Sequence, residues 1–123
     1  MTNSIPEIRD TELMFVIGSN TTEAHPIIAM EMKVAAQRGA KLIVADPRRI
    51  WLAEHADIYM QLKPGTDVFL LNAMAKVIVD EGLVDKDFID KHTEGWPALQ
   101  ENLKKFTLEE AEKVTGVPGE DIR

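Results

Sequence analysis

The sequence contains no cysteine. That excludes disulfides, thiolate nucleophiles, iron–sulfur ligation and cysteine-rich zinc sites within the chain. Positive charge is scarce as well: 14 Lys+Arg stand against 21 Asp+Glu, a net charge of −7. This is the wrong sign for non-specific nucleic-acid binding. An anionic ligand would need local help from arginine or backbone N–H groups. Long apolar runs are missing too, since none approaches the roughly 20 residues that span a bilayer. The first residues form no signal peptide, and no membrane contact is expected from this segment. The dinucleotide fingerprint G-x-G-x-x-G is absent because Gly18 stands alone, and there is no Walker lysine loop. A serine–histidine–acid set, H-E-x-x-H spacing and a lone lysine in an apolar run are all lacking. No catalytic or metal-ligating residue is assigned. Read alone, the residues describe a binding module.

The chain has the length of one ordinary domain, 123 residues. Its 45% hydrophobic and 28% charged residues are globular proportions. Three short apolar runs punctuate it: Leu13–Ile17 ending at Gly18, Lys41–Ala45 ending at Asp46-Pro47, and Ile58–Leu62 ending at Lys63-Pro64-Gly65. Their length and continuity fit strands buried on both faces, as in parallel sheets. Helical stretches between them give βαβ alternation. Pro26 suits the first position of a helix running to about Arg38, with a short turn at 21–24 before it. A rival start with Asn20 as cap and Glu23 as its partner would trap Pro26 inside the helix. Residues 67–81 are apolar almost all round and predict a sandwiched helix, capped by Thr66 or Asp67. Beyond Gly82 the composition turns charged and amphipathic, with a capping box at Thr107 and Glu110.

The expected fold is therefore α/β: three-layer and Rossmann-like, with a short parallel sheet, flanking helices and a helical C-terminal part. Residues 1–82 are read as the nucleotide-binding core. Residues 83–123 are read as short charged helices continuing the same truncated domain. Both ends look cut, because a final helix begins at Gly119 and stops, and because a three-stranded sheet leaves two edges open.

Ligands of open parallel sheets bind beyond the carboxyl ends of the strands, where strand order reverses. Three segments reach that edge: Gly18–Glu23, Asp46–Arg49 and Lys63–Asp67. Ser19, Asn20 and Thr22 bring hydrogen-bonding groups. Asp46 can accept from ribose hydroxyls, and Arg48 can pair with a phosphate. Asp67 can accept from the N–H edge of a guanine. Blander roles stand beside these: Asp67 as a helix cap, Asp46-Pro47 as a strand-ending turn, and Asn20 as a turn residue. Arg49 and Lys63 read as solvated charges, and His25 as a local structural residue. His55 and His92 read as lacking partners. Trp51 and Trp96 read as packing anchors, and Met14, Met30, Met32, Met60 and Met74 as core filler.

Taken in order, Val16-Ile17-Gly18-Ser19-Asn20-Thr21-Thr22-Glu23-Ala24-His25-Pro26 and Gly39-Ala40-Lys41-Leu42-Ile43-Val44-Ala45-Asp46-Pro47-Arg48-Arg49 form a specific pattern. It continues through Leu62–Asp67, Glu81–Asp85, Thr93–Gly95 and Thr115–Pro118. This pattern resembles the large (alpha) subunits of formate dehydrogenases, in the molybdopterin oxidoreductase or dimethyl-sulfoxide-reductase family. The resemblance covers essentially the whole chain. It implies an internal piece of an α/β domain that holds one molybdopterin guanine dinucleotide around molybdenum or tungsten. It also implies that Gly18, Ser19, Asn20 and Glu23 line the diphosphate and its surroundings. Asp46, Pro47 and Arg48 would then meet the nucleoside end, with Gly65 and Asp67 beside the guanine. The metal ligand and the iron–sulfur cluster would lie outside this segment, so the segment alone is expected to be inactive. The implied partners are the rest of the parent subunit and electron-transfer subunits, in the cytoplasm or, for the parent, the periplasm. Two alternatives remain at this point: a free-standing Rossmann-type nucleotide module, and a non-catalytic interaction domain.

Overall fold

The computed structural model describes residues 3–123. Its three strands are β1 (Leu13–Ile17), β2 (Lys41–Ala45) and β3 (Ile58–Met60). They form one parallel sheet in the order β1-β2-β3. Leu13 pairs with Lys41 and Ile17 with Ala45, while Ile43 pairs with Ile58 and Ala45 with Met60. The α/β class and the flanking helices are as expected. Strand order does not reverse anywhere among the described residues. The third strand is shorter than the apolar run 58–62, because the backbone at Lys63 has already turned to the Thr115 carbonyl.

The chain separates into two compact units, one ending at Gln61 and the other covering Leu62–Arg123. That division precedes the composition change at 82/83, because the long apolar helix packs with the C-terminal helices.

In the first unit, β1 leads into a single-turn helix α1 (Thr21–Ala24) and then α2 (Pro26–Gln37). Both helix starts read from the sequence are thus used in turn. His25 ends α1, and its carbonyl accepts from the Ala29 N–H at the head of α2 (3.0 Å). Pro26 follows at the first position of α2, where no N–H is needed. Helix α2 buries Ala29, Met32 and Ala35. These join Met14, Leu42 and Val44 of the sheet, and Ile50, Leu52 and Ala53 beyond β2, in one core. The β2–β3 crossover carries only the 3₁₀ turn Trp51–Glu54. Asp57 compensates at the entry to β3, where its carboxylate accepts from the Leu42 N–H (2.9 Å) and the Lys41 ammonium (2.7 Å).

The second unit contains α3 (Asp67–Asp80), α4 (Lys86–His92), α5 (Trp96–Leu103), α6 (Leu108–Thr115) and α7 (Gly119–Ile122). Helix α3 packs on α5, α6 and α7. Leu70, Ala73, Leu103, Ala111, Val117 and Ile122 are buried there. Phe69 meets Phe106 edge-to-face at 4.9 Å. Asp85 and Thr107 cap α4 and α6 by accepting from the N–H groups of Phe88 (2.9 Å) and Glu110 (3.2 Å).

Several packing expectations need correction. Helix α3 is not covered all round: Val68, Leu71 and Ile78 are 71%, 43% and 44% exposed, because its neighbours in this unit cover only the opposite side. Met30 points outward from α2 and is exposed rather than core filler. Trp51 is partly exposed, with the Lys33 ammonium 4.4 Å from its ring centre. His55 and His92 do have partners, the rings of Trp51 (3.9 Å) and Phe88 (4.9 Å) four positions earlier. Within α4 that spacing brings Phe88 and His92 onto one helical face, whereas His55 follows the 3₁₀ turn and its Nδ1 lies 3.1 Å from the Trp51 carbonyl oxygen.

Candidate functional site at the carboxyl edge of the sheet

Two of the three expected loops leave adjacent parallel strands of the first unit. Gly18 follows β1 directly, and its N–H donates to the Ala45 carbonyl (2.9 Å). Asp46 follows β2 directly, and its N–H donates to the Met60 carbonyl (3.2 Å). Each loop therefore begins on the last rung of the parallel ladder, side by side at the carboxyl edge. Gly18 has φ +57°, which favours glycine, and open space where a Cβ would stand. A ligand can thus approach the backbone closely at this point.

Beyond Gly18 the loop is held from below. The Asn20 carbonyl accepts from the N–H groups of Glu23 (3.2 Å) and Ala24 (2.9 Å), which creates α1. The Thr21 hydroxyl is buried against the Met32 sulfur (3.7 Å) and ties α1 to α2. The Asn20 side chain does not cap α1. Its Oδ1 and the Thr22 hydroxyl are buried without hydrogen-bond partners. Such orphaned groups each cost about 1–3 kcal/mol, so the loop presents polar atoms that nothing in the fold satisfies. Ser19 is half-buried and Glu23 exposed.

The second loop is fixed around Asp46, which is only 3% exposed. Its Oδ1 accepts from the Arg48 N–H (2.8 Å), an Asx-type turn that closes the reversal. The strand-ending role thus coexists with an acidic group at the edge. The Pro47 carbonyl accepts from the Gln61 side chain (3.0 Å), and the Asp46 carbonyl from the Tyr59 hydroxyl (3.1 Å). Arg48 is exposed, with its Nε 3.8 Å from Asp46 Oδ1. Arg49 is not simply solvated, since its guanidinium lies 6.0 Å from the centre of the Tyr59 ring.

Sequence reasoning missed Tyr59. Burial first, and then the Asp46 carboxylate, push its phenol above the ordinary value, while Arg49 pulls the other way. The phenol therefore stays a donor and locks the loop. The only available signal was a polar-tipped aromatic in the last strand.

The third loop belongs to the second unit. Gly65 is exposed and Asp67 half-buried at the first position of α3. Neither Thr66 nor Asp67 acts as a side-chain cap: the Thr66 hydroxyl donates backward to the Lys63 carbonyl (2.7 Å). Lys63 is not a free surface charge, because its Nζ donates to the Lys113 carbonyl (3.1 Å).

Among the described residues, no cluster of three or more histidine or acidic side chains is arranged to hold a metal ion. Among the described residues, no helix is long and apolar enough to cross a membrane.

The family model for molybdopterin oxidoreductases matches residues 1–117. The chain belongs to the molybdopterin oxidoreductase family. Its relatives include the F420-dependent formate dehydrogenase subunit alpha of Methanocaldococcus jannaschii, 51% identical over 99% of this chain and 18% of that protein. Formate dehydrogenase H of Escherichia coli is 44% identical over 100% of this chain and 17% of that protein. Among solved structures, the acetylene hydratase of Pelobacter acetylenicus superposes with a TM-score of 0.84 at 32% identity, over 97% of this chain and 18% of that one. The chain thus spans under a fifth of the length of these relatives.

Membership of this molybdopterin oxidoreductase family implies a molybdopterin cofactor with molybdenum or tungsten. The first unit fits part of such a group. The orphaned Thr22 hydroxyl, the open backbone at Gly18 and the exposed Arg48 guanidinium can donate to an anionic group, and the orphaned Asn20 Oδ1 can accept from a ligand N–H or O–H.

Proposed function

We propose that this chain is a molybdopterin guanine dinucleotide-binding segment of a formate dehydrogenase-type oxidoreductase, which converts formate to carbon dioxide and passes the electrons on. One observation carries the reading. The loop after β1 leaves Asn20 Oδ1 and the Thr22 hydroxyl buried without partners, beside a backbone opened by Gly18. A fold tolerates such groups where a ligand completes them.

In this reading Gly18, Ser19, Asn20 and Glu23 line the diphosphate and neighbouring groups. Backbone N–H and side-chain amide groups donate to the phosphate oxygens. Asp46 and Pro47 meet the nucleoside end, and Arg48 neutralises a phosphate. In the second unit, Gly65 leaves room beside the guanine and Asp67 accepts from its N–H edge. The bound group supplies a metal centre for two-electron exchange with the substrate. This chain contributes binding and orientation only. With no cysteine it offers neither a thiolate for the metal nor a cluster ligand, so alone it is inactive. The remaining parts come from the rest of the subunit, with electron-transfer subunits as partners, in the cytoplasm. Formate as the substrate is supported by the identity to the two formate dehydrogenase subunits.

The test is Arg48→Ala in the full-length subunit. Losing a charge-assisted bond of about 1.5 kcal/mol weakens cofactor binding about tenfold. Purified variant should therefore carry less metal and release less GMP on acid hydrolysis than the parent. Equal metal and GMP content in both proteins would refute the role assigned to Arg48.

A further inference from the structure

Lys63 is the first residue of the third reversal, and it is bonded in two directions. Toward α6, its N–H donates to the Thr115 carbonyl (2.8 Å) and its Nζ to the Lys113 carbonyl (3.1 Å). These are among the last carbonyls of α6, which lack donor partners within the helix. The ammonium also faces the negative end of the helix dipole. Toward the reversal, the Lys63 carbonyl accepts both the Thr66 N–H (3.2 Å) and the Thr66 hydroxyl (2.7 Å). The Thr66 carbonyl in turn accepts the Leu70 N–H (3.0 Å) and starts α3. One residue therefore joins the end of α6 to the turn that carries Gly65 and Asp67.

The contact is built on the α6 side as well. Gly116 follows α6 with φ +79°, and a Cβ there would stand 3.3 Å from Lys63 Cε. The glycine thus lets the helix end in a left-handed residue while the lysine stem lies across it. Thr115 is fully buried, with its hydroxyl donating to Ala111 (2.6 Å) and accepting from Val117 N–H (3.1 Å). The carbonyl that receives Lys63 N–H consequently belongs to a fixed residue.

We infer that Lys63 is a positioning residue: bridging α6 to the Gly65–Asp67 turn, it sets the orientation in which the Asp67 carboxylate meets the N–H edge of a guanine nucleotide. The inference rests on the function proposed above for this loop. A carboxylate that accepts from both the ring N1–H and the exocyclic amino group of a guanine must be held to within about 0.5 Å. The α6 end, rather than the short exposed turn itself, provides that constraint.

Lys63→Met keeps the aliphatic stem over Gly116 and removes the ammonium, while Lys63→Arg keeps a cationic donor. GDP, the nucleotide half of the dinucleotide, is titrated into the 123-residue chain and followed by backbone amide shifts. Hydrogen exchange at Thr66 and thermal unfolding are measured in parallel. In the parent chain, GDP is expected to move the Gly65, Thr66 and Asp67 amides. Lys63→Met is expected to weaken GDP about fivefold and speed Thr66 exchange while Tm falls by no more than about 2 °C, as for an exposed bond. Lys63→Arg is expected to restore GDP affinity to within about twofold of the parent. Unchanged GDP affinity and Thr66 exchange in Lys63→Met overturn the inference. So does a fall in Tm that accounts for the whole effect and that Lys63→Arg does not reverse. If GDP leaves the parent amides unmoved, the nucleotide reading of this loop fails. Thr66 exchange then still decides whether Lys63 holds the turn.

Discussion

Asp46 offers the sharpest test of how the edge of the first unit is built. Its side chain is almost fully buried, and its Oδ1 lies 2.8 Å from the Arg48 N–H that closes the reversal. Removing the acceptor with Asp46→Ala deletes a hydrogen bond to a charged group, worth about 1.5–3 kcal/mol. Arg48 is exposed, so water recovers part of the loss and the lower figure applies. A cost of about 1.5 kcal/mol lowers Tm by about 6 °C in a domain of this size. Asp46→Asn retains a carbonyl oxygen at the same place and is expected to stay within about 2–3 °C of the parent. Circular dichroism melting gives the stability, and hydrogen exchange at the Arg48 amide gives the local effect: protected in the parent and in Asp46→Asn, fast in Asp46→Ala. The reasoning is refuted if Asp46→Ala leaves both Tm and Arg48 exchange unchanged. The same pair separates structure from binding, since Asp46→Asn preserves the turn but loses the carboxylate proposed to meet the ribose.

Two pH experiments follow from the described contacts. Tyr59 is the only tyrosine, so absorbance at the phenolate band reports it alone. Burial and Asp46 raise its pKa above the ordinary 10.0, so its contribution to stability is full below that value and is lost as pH rises through the raised one. Titration at or below the ordinary value would show that the phenol is not held as described. At acid pH the signs reverse. The Arg9 side chain holds the Glu31 carboxyl low, and the Lys41 ammonium followed by the Leu42 N–H does the same for Asp57. The stability these groups contribute is present above the ordinary carboxylate range, about pH 4, and is lost as pH falls through the depressed values. Asp57→Asn should flatten the acid limb of a stability–pH curve, and an unchanged slope would contradict this.

Much of the first unit was legible because local rules act alone there. Apolar runs with turn residues at their ends marked β1 and β2 to the residue. Pro26 marked the head of α2, and in the second unit Thr107 marked that of α6 by an equally local signal. What was not legible depends on distant parts of the chain. Lys63 looks like any surface lysine until α6 brings the Lys113 carbonyl to it across 50 positions. Helix α3 is apolar on every side in the sequence, and only packing shows that Leu70, Ala73 and Val77 are covered while Val68 and Ile78 are not. The 3₁₀ turn Trp51–Glu54 lacks a helical period, so the pairing of Trp51 with His55 stayed hidden. At the edge itself, Gly18 and Asp46 were expected from strand ends alone. The unsatisfied atoms of Asn20 and Thr22 required coordinates.

Under the proposed function, the reversals at Gly18–Asn20 and Asp46–Arg48 in the first unit, and that at Gly65–Asp67 in the second, each contact a guanine nucleotide. Mapping backbone amide shifts of the 123-residue chain during a GDP titration, with NAD and ATP as comparisons, tests it most directly. The expected result is a saturable response to GDP concentrated in those three segments. A response to NAD alone, or GDP shifts confined to residues outside them, would contradict it.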